Sequence, residues 1–404
     1  MTTGLVLSGG GMRGAYEVGV VAGIADVLDR DPESGPLFQV FSGTSVGAIN
    51  AAFFAARSDR ADHGAERLAE VWRGLRLTDH ARIRPLGLVQ GALKSRLIKG
   101  DRSLLDTRAL EVLVRRSIDW ELLHKHVDEG VVHALMVAAL HIVSGRTTMF
   151  TEKAPHISIQ ATRDERRITS FERISADHVL ASAALPLLFP TRRLGAHFYC
   201  DGGLRFNTPI APAIRAGAER LVVVSVRHTR TAREVEAVEE ADVGGSGEIS
   251  PVFLIGKLLN ALLLDPVEYD LSVLERLNQL LAVLEESLPP AELARVQEVW
   301  AKHRGSPYRR IKTLVFTPSR DLGRIAGDYI RHNLDTSDLN TLTRYFFERF
   351  NRDASEPEAD WASYLLFDGG FAHELIEVGR ADALAQAAEI RDFFGVEEKA
   401  EAAS

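Results

Sequence analysis

Ser45 stands in Gly43-Thr44-Ser45-Val46-Gly47. A G-x-S-x-G pattern of this kind puts a serine on a sharp strand-to-helix turn with its hydroxyl projecting from the backbone. A second glycine-rich turn, Gly9-Gly10-Gly11-Met12-Arg13-Gly14, precedes it. Successive glycines ahead of a helix present N–H groups that can hold a developing negative charge. One turn offers a nucleophile and the other an anion site, both within the first 50 residues. Farther along, Asp201-Gly202-Gly203 puts a carboxylate at the end of a short strand, where glycines let the backbone approach a substrate closely.

Each feature has a plainer reading. Gly9-x-Gly11-x-x-Gly14 also matches a dinucleotide fingerprint, which wants an acidic residue at the end of the second strand. Here that strand ends in Ser42-Gly43-Thr44-Ser45, and Asp29 and Asp31 precede it, so the cofactor reading is disfavoured and no cofactor is expected. Ser45 could merely cap a helix. The strand, turn and helix that read correctly around it, and the glycine turn nearby, favour a nucleophile. The thirteen histidines supply candidate bases by number, but none sits in an informative motif, and His197, His228 and His373 read as ordinary positions. Asp201 is the better candidate. A free aspartate, with a pKa of about 3.9, is a poor base at neutral pH, so this role predicts a desolvated, partly apolar setting for Asp201.

The elements that would position these groups follow from the pattern. Residues 4–8 and 38–42 read as buried strands, and 15–28 and 46–56 as helices rich in small residues suited to packing on a sheet. A glycine turn at the C-terminal end of each strand, with strands and helices alternating, implies a parallel sheet with helices on its faces. Ligands of such sheets bind outside the strands' carboxyl ends, where both turns lie. Residues 66–77 read as an amphipathic helix, 135–143, 156–161, 197–200 and 221–226 as further strands, 171–180 as the approach to a short helix, and 181–190 as a shaped loop with two prolines. Residues 229–250 are acidic and glycine-rich, an exposed loop by composition; 251–302 read as helices, 311–317 as a late strand, and the rest as helical with a tail at 397–404.

The bulk numbers set the frame. The 404 residues are 46% hydrophobic and 26% charged, an ordinary globular composition. A net charge of −8 disfavours nucleic-acid binding. The single cysteine, Cys200, excludes an intrachain disulfide framework and a cysteine-based zinc site, and no metal cluster is evident. Met1-Thr2-Thr3 leads straight into an apolar strand, which does not read as a signal peptide, and the apolar run 252–264 is too short to span a bilayer. The expectation is a cytoplasmic protein. A basic, apolar-interleaved stretch containing Arg82, Arg84, Lys94 and Arg96 reads either as a peripheral membrane contact or as a solvated helix–loop. The run 252–264 reads as a core helix, with a lid or a dimer face as the alternatives.

The glycine turn, the serine turn, the stretch Ala181 to Pro190 and Asp201-Gly202-Gly203, in this order, resemble the patatin-like phospholipase family, which shares its catalytic layout with cytosolic phospholipase A2. The resemblance covers residues 4 to about 210 and implies a three-layer α/β/α fold with a mostly parallel central sheet: a catalytic core over 4–228, the loop 229–250, and a mainly helical region 251–396. It implies Ser45 as nucleophile and Asp201 as its partner in a Ser–Asp dyad without histidine. Gly10 and Gly11 become the oxyanion donors, within turns whose other motif glycines are Gly9, Gly14, Gly43, Gly47, Gly202 and Gly203. Arg13 would support the glycine turn or a lipid phosphate. Two mild departures are Ser8, where plant patatins have aspartate, and Gly203, where many members have alanine. The activity implied is that of a lipid acyl hydrolase of the phospholipase A or lysophospholipase type. A carboxylesterase, thioesterase or acyltransferase with the same dyad is the alternative within enzymes, and a non-catalytic lipid-binding module the alternative outside them. A second Asp-Gly-Gly, at Asp368, reads as a turn between helices.

Overall fold

The computed structural model describes residues 1–31, 34–80, 82–83, 105–162, 164–186, 188–229, 267–304, 307–334 and 362–396. All but the first residue of the expected loop 229–250, the apolar run 252–264, the expected tail 397–404, and Arg84, Lys94 and Arg96 lie outside them; Arg82 belongs to a two-residue strand whose backbone pairs with Leu105–Asp106.

The strands of the central sheet are β1 (Thr3–Leu7), β2 (Val40–Thr44), β3 (Ala134–His141), β4 (Arg146–Lys153), β5 (Arg167–Phe171), β6 (Arg192–Leu194), β7 (His197–Asp201), β8 (Arg220–Val224) and β9 (Lys312–Phe316). They run in the order β9-β8-β1-β2-β3-β4-β5, with β6 paired to β7 and β7 to β3. The neighbours from β9 to β3 are all parallel, whereas β3–β4, β3–β7 and β6–β7 are antiparallel. Strands β1, β2, β3 and β8 are buried almost throughout on both faces, in keeping with their near-continuous apolar runs. Along β1, Leu5 and Leu7 join one core and Val6 the other; along β8, Val222 and Val224 join the first, Leu221 and Val223 the second.

Helices α1 (Gly14–Leu28), α2 (Val46–Ala56), α3 (Ala65–Arg73), α4 (Arg108–Ser117), α5 (Trp120–Asp128) and α6 (Ala176–Ser182) contribute to the first core. On the opposite face, α7 (Ile210–Arg215) and α8 (Val267–Ser287) supply Ile210, Ala213 and Leu274. A helix α9 (Pro290–Arg304) follows. The chain then returns to the first layer with α10 (Leu322–His332), α11 (Gly369–Ala385) and α12 (Ala387–Phe394). The result is an α/β/α sandwich on a mostly parallel sheet.

Two expectations change. Residues 156–161 form no strand; the strand that pairs with β3 is the preceding β4. Its sequence, RTTMFTEK, is mostly polar but carries three β-branched threonines and a phenylalanine, and it is buried almost throughout because it lies between β3 and β5 rather than through continuous hydrophobicity. The small residues of α1 also serve a helix, not only the sheet that was expected. An ideal Cβ at Gly19 would lie 2.0 Å from the Ile376 carbonyl oxygen, and one at Gly379 would lie 2.2 Å from that of Tyr16. They allow α1 and α11 to pack backbone to backbone.

Candidate active site

The register of β3 brings the site together. Its residues Ala134–Ala138 pair with β2, and the next three pair with β7, which runs the other way along the same edge. Thr44 therefore faces Ala138, and Asp201 faces Ala139. The carboxyl ends of β2 and β7 meet head to head, so the residue that leaves β2, Ser45, arrives beside Asp201.

Ser45 occupies φ 54°, ψ −126°, a backbone state rare for any residue but glycine. The turn is tight enough to demand its flanking glycines. A Cβ at Gly43 would lie 2.3 Å from the Gly47 carbonyl oxygen, and one at Gly47 would lie 2.6 Å from the carbonyl oxygens of both Leu7 and Ser8. The Ser45 amide donates to Ser182 Oγ at 2.8 Å, and Ser182 Oγ donates to the Ala138 carbonyl at 2.5 Å, which ties the elbow to β3 and α6.

Ser45 Oγ donates to Asp201 Oδ2 at 2.7 Å, while Asp201 Oδ1 accepts from the Gly203 amide at 2.7 Å. Ser45 is 5% exposed and Asp201 1%. Burial pushes the Asp201 carboxyl up to about 6, against the lowering effect of its bonds from Ser45 and Gly203. This is the desolvated setting expected from the sequence. Gly202 must be glycine for the strand end to fit, because a Cβ there would lie 2.4 Å from the Ala138 carbonyl oxygen. Among the described residues no histidine hydrogen-bonds to Ser45 or Asp201. The neighbouring Cys200 thiol is pushed up to about 11 by burial and by Asp201, so it is a poor nucleophile.

The glycine turn lies directly against Ser45: a Cβ at Gly9 would come within 3.1 Å of the serine Cβ. Asn207 clamps this turn, accepting from the Gly9 amide at 2.9 Å through Oδ1 and donating to its carbonyl at 3.2 Å through Nδ2. Gly11 takes φ +57°, with the Tyr364 carbonyl 2.3 Å from where its Cβ would stand. Among the described residues no protein acceptor takes the Gly10 or Gly11 amide. Gly14 passes beneath the elbow, its Cβ position 2.4 Å from Val46 Cγ2. Arg13 turns away from the cleft: it is buried, donates to Ser363 Oγ at 2.7 Å and stacks over Tyr364 at 4.0 Å. Of its two expected roles, this geometry fits the bracing of the turn and leaves a lipid phosphate no access.

Ser45 and Gly11 open on one pocket whose remaining walls are almost wholly apolar. Val46, Ile49 and Phe53 come from α2, Leu68, Val71 and Trp72 from α3, Leu110, Leu113 and Val114 from α4, with Phe189 and Phe367 completing them. Beneath it, Asn50 accepts from Trp72 Nε1 at 3.2 Å and donates to Gly14 O at 3.0 Å and Glu17 Oε2 at 2.9 Å. Burial holds the Glu17 carboxyl well above its ordinary range. Ser182, Asn207, Asn50 and Glu17 carry no motif of their own; only Ser182 lies in a stretch that the sequence singles out. Among the described residues no group of His, Cys, Asp and Glu could hold a metal ion.

Asp368, in the second Asp-Gly-Gly, is the N-cap of α11, accepting from the Gly370 amide at 3.0 Å and the Phe371 amide at 3.3 Å.

Comparison with known proteins gives the chain a family. The family model for patatin-like phospholipases matches residues 5–214. A lysophospholipase nte1 of Aspergillus terreus is 37% identical over 78 residues, which take in 18% of this chain and only 5% of that protein's length. Among solved structures, VipD from Legionella pneumophila aligns at 12% identity and TM-score 0.33, covering 93% of this chain and 67% of that one. Human GIVD cytosolic phospholipase A2, solved with methyl gamma-linolenyl fluorophosphonate, aligns at 11% and 0.30, covering 98% and 60%. Neither superposition is close enough to carry an argument. The family match spans more than half of the chain and contains both glycine turns and Asp201, and on that ground the chain belongs to the patatin-like phospholipase family.

Proposed function

We propose that this protein is a lipid acyl hydrolase of the phospholipase A or lysophospholipase type, which cleaves carboxylic esters through Ser45 and Asp201. One observation carries the reading: the Ser45 hydroxyl donates to a buried carboxylate at 2.7 Å and faces an apolar pocket. A carboxylate that holds its proton to about pH 6 is far better matched to a serine hydroxyl than a free one. The apolar walls suit an acyl chain and would hold its ester carbonyl over Ser45.

In the first step Ser45 Oγ attacks the carbonyl carbon while its proton passes to Asp201 Oδ2. The carbonyl oxygen becomes an oxyanion, to which the unengaged amides of Gly10 and Gly11 donate; one good donor of this kind is worth on the order of 3–4 kcal/mol. The tetrahedral intermediate collapses, the carbon–oxygen bond to the leaving alcohol breaks, and Asp201 returns its proton to that alcohol. Water, deprotonated by Asp201, then attacks the acyl-serine; the second tetrahedral intermediate collapses, Asp201 returns the proton to Ser45 Oγ, and the fatty acid leaves.

A fluorophosphonate probe tests the assignment. Wild-type protein should label, Ser45→Ala should not, and Asp201→Asn should label at least about a hundredfold more slowly. The same variants should lose release of fatty acid from phosphatidylcholine and lysophosphatidylcholine in the same order. Undiminished labelling of Ser45→Ala would remove the nucleophile from the proposal, and labelling without any lipid turnover would shift it to another acyl ester.

A further inference from the structure

We propose that the tips of the β3–β4 and β6–β7 hairpins form a face that docks on an anionic phospholipid surface and presents the active-site end of the sheet to it. The inference rests on the reading of the protein as a lipid hydrolase, and it concerns residues that the reaction does not use.

The two tips are neighbours: the Ile142 amide donates to the Phe198 carbonyl at 3.0 Å, and Arg193 faces Phe198 across β6–β7. Both project from the catalytic end of the sheet. β3 runs parallel to β2, so where β2 ends at Thr44 opposite Ala138, β3 continues through Ala139, the partner of Asp201, to its turn. At ~3.3 Å per residue, His141, the last residue of β3, stands about 7 Å beyond the level of Asp201, and Val143 lies in the turn that follows it.

The chemistry of the tips is unusual for this chain. Val143 is 85% exposed, Phe198 48% and Ile142 42%. Exposed apolar residues are ordinary when scattered, but a contiguous group on adjacent turns marks an interaction site. Around them stand Arg146, Arg193 and Arg205, the last with its guanidinium against the Gly145 turn. Arg146 donates to the Arg167 carbonyl and Arg193 to the Gly195 carbonyl, and among the described residues no carboxylate pairs with any of the three arginines. Residues 140–150 and 190–200 contain arginine and histidine and no aspartate or glutamate, in a protein of net charge −8. Projecting apolar side chains flanked by exposed guanidinium groups that have no carboxylate partner among the described residues match a headgroup layer: the apolar tips enter the acyl boundary and the cations meet lipid phosphates. Charge complementarity therefore selects a membrane as the occupant.

The test uses the full chain with Ser45→Ala, so that vesicles are not consumed. This protein should sediment with vesicles of phosphatidylcholine and phosphatidylglycerol, and more weakly with phosphatidylcholine alone. Adding Val143→Glu with Phe198→Glu should cut binding roughly tenfold or more; Arg146→Gln with Arg193→Gln should remove the preference for the anionic vesicles. With Ser45 intact, both pairs should hydrolyse a short soluble ester within about twofold of wild type, which separates docking from folding and chemistry. Should the glutamate pair fail this control, the glutamine pair decides by the same criterion. A Ser45→Ala chain that leaves the vesicles in solution, or variants that sediment as their parent does, would overturn the proposal. Vesicle binding by a wild-type chain that releases no fatty acid would instead sink the hydrolase reading and leave the docking face standing.

Discussion

A carboxylate serves as a base only where its charged form has been made uncomfortable, and that cost is visible in stability as well as in rate. Asp201 is pushed from an ordinary 3.8 to about 6 by burial. The sign follows from proton counts: between about pH 4 and pH 6 the folded chain holds a proton that the unfolded chain has released. The stabilisation from that proton is therefore present below about pH 4 and is lost as pH rises through 6. Ionised Asp201 costs the fold on the order of 2–3 kcal/mol at neutral pH. Two outcomes are expected. The acid limb of kcat/KM should have its midpoint near 6, and a limb near 4 would contradict the base assignment. Denaturant titrations should find Asp201→Asn gaining stability relative to wild type as pH rises from 4 to 7, by up to that amount. The residue types at this site are legible in the sequence because each stands in a glycine pattern. Ser182 and Asn207 are not, because their partners stand 137 and 198 positions away and nothing local marks them.

Between residues and the whole stand the turns and strands, and there legibility depended on whether the backbone itself constrains the sequence. The turn around Ser45 is readable because its glycines are steric necessities: Gly43 approaches Gly47, and Gly47 approaches Leu7 and Ser8, with no room for a methyl group. Gly47→Ala should accordingly push β1 and α2 apart. We expect a loss of about 2–3 kcal/mol in thermal or denaturant unfolding and of most fluorophosphonate labelling, although no reacting group is touched. Wild-type labelling kinetics in a folded Gly47→Ala protein would show that the elbow tolerates widening. The two Asp-Gly-Gly tripeptides illustrate the same point from the other side. Identical residues end a strand at Asp201 and cap a helix start at Asp368, and only the flanking pattern, a strand against a helix, distinguishes them. β4 was obscured because a polar strand whose partner lies across a hairpin has no apolar run to announce it.

At the scale of the molecule, the C-terminal helices hold the two glycine turns from behind. Strand β9 adds to β8 in the central sheet, and α11 lies along α1 with Tyr16 bonded to Asp382 at 3.0 Å. The segment leading into α11 supplies Ser363 and Tyr364, which grip Arg13, and the Tyr364 carbonyl that crowds Gly11. Small residues in α1 announce close packing, but the sequence does not say against what, because that partner is hundreds of residues away. The arrangement couples a distant contact to the chemistry. A methyl at Gly19 would meet the Ile376 carbonyl at 2.0 Å, a backbone atom that cannot rotate aside, so α11 must shift and carry residues 362–368 with it. Gly19→Ala should thus lower unfolding stability by about 1–3 kcal/mol. It should also reduce kcat on a soluble ester several-fold as the glycine turn loosens, with a smaller rise in KM because Phe367, one wall of the pocket, moves with residues 362–368 while the walls from α2, α3 and α4 stay in place. A reduction in stability with unaltered kcat would mean that α11 braces the fold without bracing the turn.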